Sequence, residues 1–194
     1  MHAYSTDSDR SRIAFLVLAV VAILGAWMLS QLLDVLSVIP PWWLDTPAVL
    51  GMYGLLWKGY DRFVWRWRIG ALGLSDTPNL GGIWSGEIES ARDPGRSLSA
   101  TLTITQTASR ILISLDTEMS RSSSVMAALN CKPGPYRGLH YSFENRPRAM
   151  AHPTMGPHSG HADLRLTSDG LQLNGDYETD RHRGSVGRMS FKRA

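Results

Sequence analysis

A chain of 194 residues with one cysteine and a formal net charge of +3 can hold no intramolecular disulfide framework, and it suits a reducing compartment. Beyond residue 78, 14 Lys and Arg stand against 11 Asp and Glu, a balance that excludes a binder of nucleic-acid polymers acting through bulk charge. The apolar content of 43% is ordinary in total, but it is crowded into the first third of the chain and alternates with polar residues afterwards.

Residues 1–12 form a polar tail with Arg10 and Arg12. Residues 13–33 (IAFLVLAVVAILGAWMLSQLL) then run 21 positions without a charge. At about 1.5 Å per residue, such a helix covers a hydrocarbon core of about 30 Å. The run exceeds the ~7–15 residues of a signal-peptide core, and no A-x-A site follows it, so a transmembrane helix is expected rather than a cleaved leader. A second apolar segment, residues 35–57, carries Asp45, Pro40, Pro41 and Pro47, which leaves a re-entrant or interfacial stretch open, and the charge pattern places a full second span at about 37–57. Lys58, Arg62, Arg66 and Arg68 follow it, while the connection between the two segments has no Lys or Arg. By the positive-inside bias both termini are expected to face the cytoplasm, with the chain crossing the membrane twice. Trp42 and Trp43 on one side, with Trp57, Trp65 and Trp67 on the other, suit aromatic belts. Residues 13–70 are thus read as two transmembrane helices with a juxtamembrane segment.

The breaker cluster SDTPN at 75–79 marks a domain boundary. From residue 79 to 194, period-two alternation predicts eight strands near 81–90, 98–107, 110–116, 120–129, 136–145, 160–167, 171–178 and 184–192. DPGR, TASR, KPGP and SDG between them are turn chemistry. Eight sequential strands without helices cover their edges completely by closing into a barrel. The expected fold class is therefore an N-terminal transmembrane α-hairpin followed by an all-β domain, an eight-stranded antiparallel up-and-down β-barrel with room for side chains or one small ligand.

Alternation also assigns faces. Leu98, Ala100, Leu102, Ile104 and Gln106 point inward, as do Leu139, Tyr141, Phe143 and Asn145, and Leu171, Leu173, Gly175 and Tyr177. The same reasoning turns Val125, Ala127 and Leu129 inward and carries Ser123 and Arg121 with them. Arg121, Ser123, Asn145 and Tyr177 then gather at one end. Trp84, Ile111, Leu129, Leu139, Leu171 and Phe191 form an apolar plug at the other. Loops at the polar end carry Arg92, Arg96, Arg146, Arg148, Arg181 and Arg183, whose guanidinium groups match phosphate in shape. An arginine on a loop is most often simply solvated, and Asp93, Glu118 and Asp180 lie near these in sequence. The candidate ligand-binding set is Arg121, Ser123, Tyr141, Asn145, Tyr177, Arg181 and Arg183.

With its two apolar segments, LGGIWSG at 80–86, SRSSSVMAAL at 120–129, LHYSFENRP at 139–147 and HSGHADLRL at 158–166, the chain resembles the membrane effectors of bacterial CBASS antiphage systems. The class in question has two transmembrane helices and a β-strand-rich domain. The resemblance implies a barrel that binds a cyclic oligonucleotide second messenger, of dinucleotide size, made by a partner nucleotidyltransferase. It further implies self-association in the lipid bilayer and disruption of the inner membrane.

Other chemistry finds less support. His152, His158 and His161 match no standard zinc spacing, so no metal or cofactor is expected. There is no G-x-S-x-G, Walker loop or convincing carboxylate pair, which argues against an enzyme. The alternative from another class is a membrane-anchored, lipocalin-like carrier or sensor of a lipid or other hydrophobic ligand, whose interior would be apolar up to the mouth.

Overall fold

The computed structural model describes residues 1–37, 45–67, 75–132, 134, 137–149, 156–181 and 183–194. Trp42, Trp43, Arg68 and His152 lie outside these, as do the side chains of Arg12 and Asp45. Two compact units emerge: Ser8–Asp76, and a β unit made of Met1–Asp7 together with Thr77–Ala194.

In the first unit, helix α1 (Asp9–Val35) is followed by α2 (Asp45–Arg62). Residues Ile13–Val35 of α1 are long and apolar enough to cross a membrane, and they are mostly exposed. Leu16, Trp27 and Met28 are all more than 60% exposed, a face that water disfavours and lipid accommodates. The helices run past each other, with Phe15 stacked on Trp57 at 4.5 Å between ring centroids.

The β unit is the expected barrel. Strands β3 (Gly82–Ser90), β4 (Ser97–Gln106), β5 (Arg110–Thr117), β6 (Ser120–Asn130), β7 (Gly138–Pro147), β8 (His158–Leu166), β9 (Gln172–Thr179) and β10 (Val186–Arg193) each pair with the next. The antiparallel pair β10–β3 closes the ring on one side and a short β5–β6 pair on the other. Alternate residues fill the interior: Leu102, Ile104, Ile111, Ile113, Leu139, Leu164, Leu173 and Phe191 are essentially inaccessible. Trp84 anchors the base, donating from its indole nitrogen to the Leu80 carbonyl at 2.9 Å. Leu171, placed in the plug by alternation, sits in the turn before β9 and is 55% exposed.

Two features escape period-two reading. On β6 the register against β7 shifts between Ser124 and Met126, a β-bulge. An extra residue in one strand reverses which parity faces the core. Ser120, Ser122 and Ser124 are therefore buried before it, Ala127 and Leu129 after it, and Arg121, Ser123 and Val125 are exposed. The inward placement of Arg121, Ser123 and Val125 is thereby corrected.

The second feature is the N-terminus, which is not a free tail. Strand β1 (His2–Ala3) lies antiparallel to β5, and β2 (Ser5–Thr6) lies parallel to β6. The arm is wedged between them.

Gly175, in the middle of β9, faces inward where strands approach closely, and a Cβ there would stand 1.7 Å from the Asp163 carbonyl oxygen. Gly175→Ala forces the β8–β9 ladder apart and is expected to cost about 1–3 kcal/mol, the range for overpacking. A thermal melt of the full chain checks it; Gly156→Ala, with open space around that position, serves as the control.

Candidate functional site

The barrel end where β5 turns into β6 and β9 into β10 opens into a recess of about 90 Å³. Leu115, Phe143 and Met189 contribute apolar walls, and Thr117, Ser120, Ser122, Asn145, His158, Tyr177, Thr179 and Arg183 a polar lining. The β5–β6 and β9–β10 turns at this mouth are each held by a threonine. The Ser120 N–H donates to Thr117 Oγ1 at 3.0 Å, and the Ser185 N–H donates to Thr179 Oγ1 at 2.8 Å. These side-chain bonds hold the two turns where the strands part and orient the residues beside them.

Asn145 donates from Nδ2 to Ser120 Oγ at 3.0 Å. Its Oδ1 is buried and has no hydrogen-bond partner among the described residues, which leaves an acceptor at the recess. Tyr177 lies over the backbone of Gly187, where a Cβ would come within 2.6 Å of the tyrosine ring. The missing side chain makes room for it. The backbone N–H of Arg183 donates to Asp180 Oδ1 at 3.1 Å. No described carboxylate forms an ion pair with its guanidinium, although Asp180 and Arg92 both bond its backbone.

The expected residues therefore divide. Asn145, Tyr177 and Arg183 meet at the recess. Arg181 is exposed on the β9–β10 turn and does not line it. Arg121 projects outward and pairs with Asp116 at 2.5 Å, and Arg148 joins the same carboxylate at 2.9 Å. Ser123 also points away. Tyr141 lies deeper, 1% exposed against Phe143, and burial pushes its phenol well above the ordinary value. Thr117, Ser120, Ser122, His158 and Thr179 were not singled out as binding residues. The SRSSS run offers serines on both parities, and without the bulge the wrong set is chosen.

A larger groove of about 460 Å³ lies on the outer face of β8 to β10. Asp163, Asp176 and Glu178 line it together with His161 and Arg188. Three carboxylates disfavour an anionic ligand there, so the mouth, not the groove, suits phosphate. Among the described residues no group of His, Cys, Asp and Glu is arranged to hold a metal ion.

Comparison with known proteins agrees with the barrel at the centre of this description. Residues 75–193 match the family described as Cap15, cyclic dinucleotide receptor domain. The chain belongs to the Cap15 family. It is also similar to CD-NTase-associated protein 15 of Yersinia aleksiciae, with 28% identity over 143 residues, covering 74% of this chain and 68% of that protein. The kinship to CBASS effectors expected from the sequence is thus found, and the Cap15 match coincides with strands β3 to β10.

Among the described residues the Tyr141 hydroxyl has no hydrogen-bond partner, though it is buried, an arrangement that costs about 1–3 kcal/mol for a polar group. Tyr141→Phe is accordingly expected to melt at or above the temperature of the parent chain. A clear drop in Tm would show that the hydroxyl has a partner.

Proposed function

We propose that this protein is a CBASS effector that binds a cyclic dinucleotide at the mouth of its barrel and answers by self-association and disruption of the inner membrane. The observation that carries the reading is the match of residues 75–193 to a cyclic dinucleotide receptor family. The mouth supports it through an unpaired acceptor on Asn145, a cation on Arg183 without an acidic partner, and Tyr177 as an aromatic wall. We read it as a receptor, not an enzyme, whose ligand is the product of a partner nucleotidyltransferase.

A pocket for a small molecule commonly measures about 300–1,000 Å³, and the recess is about 90 Å³. A cyclic dinucleotide therefore seats fully only when the rim moves apart. That requirement makes binding and a change of shape one event, and a ligand shifts an equilibrium by the difference in its affinity for the two shapes.

Connectivity supports the membrane topology. The chain leaves the β unit after Asp7 and returns to it at Thr77. Whatever crosses a bilayer between those points crosses it an even number of times, because both ends belong to one folded body. With α1 as one span, a second follows, and both termini share the barrel's side, which the positive-inside bias makes cytoplasmic.

Two outcomes test the reading. Reporter fusions at residues 1 and 194 should both report the cytoplasm, and a periplasmic signal from either would overturn the topology. In calorimetry on the full chain with a panel of 3′,5′-linked cyclic dinucleotides, loss of a charge-assisted bond is worth about 1.5–3 kcal/mol, so Arg183→Ala should weaken binding about ten- to hundredfold. Asn145→Ala should weaken it by about an order of magnitude at most, and Arg121→Ala should leave it unchanged. Binding that survives Arg183→Ala but is lost with Arg121→Ala would move the site to the outer wall.

A further inference from the structure

The weakest seam of the barrel is the one the N-terminus fills. Between β5 and β6 only Ser114↔Ser123, Leu115↔Ser122 and Asp116↔Arg121 pair directly, whereas β6 and β7 pair from Ser120↔Pro147 to Asn130↔Gly138, broken only by the bulge. Past the three pairs the two strands fork. At the crotch, Ser124 Oγ accepts from the Ile113 N–H at 3.0 Å and meets His2 Nε2 at 2.8 Å. Beyond it the arm takes the place of the missing ladder, His2 beside Ile111 and Thr6 beside Leu129.

The arm is anchored by side chains more than by its two-residue strands. Tyr4 packs against the core and donates to the Ala108 carbonyl at 2.9 Å. Asp7 accepts from the Cys131 N–H at 2.6 Å and the Lys132 N–H at 3.4 Å. Burial opposes its ionisation, but those N–H groups and the Lys132 charge outweigh it and hold the carboxyl below its usual value. Thr6 Oγ1 lies 3.0 Å from Cys131 Sγ. Burial is the main reason the Cys131 thiol is raised above its ordinary value, against the hydrogen bonds of Thr6 and Thr77.

We propose that the arm is an exchangeable strand, filling the fork of its own barrel at rest and the fork of a second copy when chains assemble. Two residues on each edge give little cooperative strength of their own. An empty fork would expose unpaired backbone at Arg110, Ile111, Ala128 and Leu129, a template for another strand. The segment that fits it is known, because it already sits there. Exchange between identical chains keeps every contact and costs little. The trigger rests on the receptor reading above: Leu115 and Ser122, which form one of the three direct pairs, also line the ligand recess, so widening the mouth strains the seam first.

Thr6→Cys in the full chain places a second thiol against Cys131, the one natural cysteine, at a separation that a disulfide can close. Diamide added before nucleotide should give a disulfide within single chains. The locked chain should bind the cyclic dinucleotide that the reduced chain binds in calorimetry, yet stay monomeric in vesicles, and dithiothreitol should restore assembly. Diamide added after nucleotide should give disulfide-linked multimers, with Thr6→Ser as the control that forms none. Locked chains that assemble as reduced ones do, or disulfides that stay within single chains after assembly, would overturn the exchange. Should the reduced chain bind no cyclic dinucleotide, the receptor reading falls, and assembly driven by concentrating the protein in micelles decides the exchange by the same disulfide pattern: between chains supports it, within chains overturns it.

Discussion

The extra residue in β6 is the constraint on which the barrel's division of labour rests. A strand with unbroken alternation that buries Ala127 and Leu129 at one end would turn Arg121 and Ser123 into the barrel at the other. A guanidinium in that position would need a buried partner, at a cost of several kcal/mol if unpaired. The bulge between Ser124 and Met126 instead delivers three small hydroxyls inward and sends Arg121 out to Asp116. Small neutral side chains leave an open polar mouth above an apolar base, within one strand.

The same strand joins the mouth to the points where the chain leaves and re-enters the β unit. Ser120 and Ser122 line the recess at its start. Just past its end, Cys131 meets Thr6 and Thr77, the residues that flank the 8–76 excursion on either side. Pro78 is tied to the same end of the barrel through Gln106, whose Nε2 donates to the Pro78 carbonyl at 3.2 Å while its Oε1 accepts from the Leu80 N–H at 2.8 Å. Entrance and exit are clamped on one rim, so movement of β6 is felt at both.

How much of this was legible in the sequence follows from the range of the interactions involved. Strand positions were readable to within about two residues, because alternation is local and strong in segments such as LSATLTITQ. The inward rows of β4, β7 and β9 followed from it, and with them the placement of Asn145 and Tyr177 at the mouth. The phase of β6 was not readable, because SRSSSVMAAL has serine on both parities and only pairing with β7 reveals the shift. The arm was hidden for another reason. His2 to Thr6 make strands of two residues each, far too short for a periodic signal, and their partners stand more than 100 positions away. Arg121 and Ser123, turned inward by alternation, and Ser122, left out of the inward row, exchanged places for the same cause: side-chain direction next to a bulge is set by three-dimensional pairing.

A switch built this way needs only a modest input. Moving a two-state equilibrium from one part in a hundred to its reverse takes about 5.5 kcal/mol of differential binding. If assembly required new contacts to be created from nothing, the ligand would have to offset the full cost of ordering them. With an arm that trades one fork for an identical one, the contacts in the two states are the same, and the difference reduces to association itself and the strain at three seam pairs. Arg183 and Asn145 line the recess beside that seam, and the apolar stretch of α1 is mostly exposed. The weakest pairing of the barrel, between β5 and β6, lies beside its mouth.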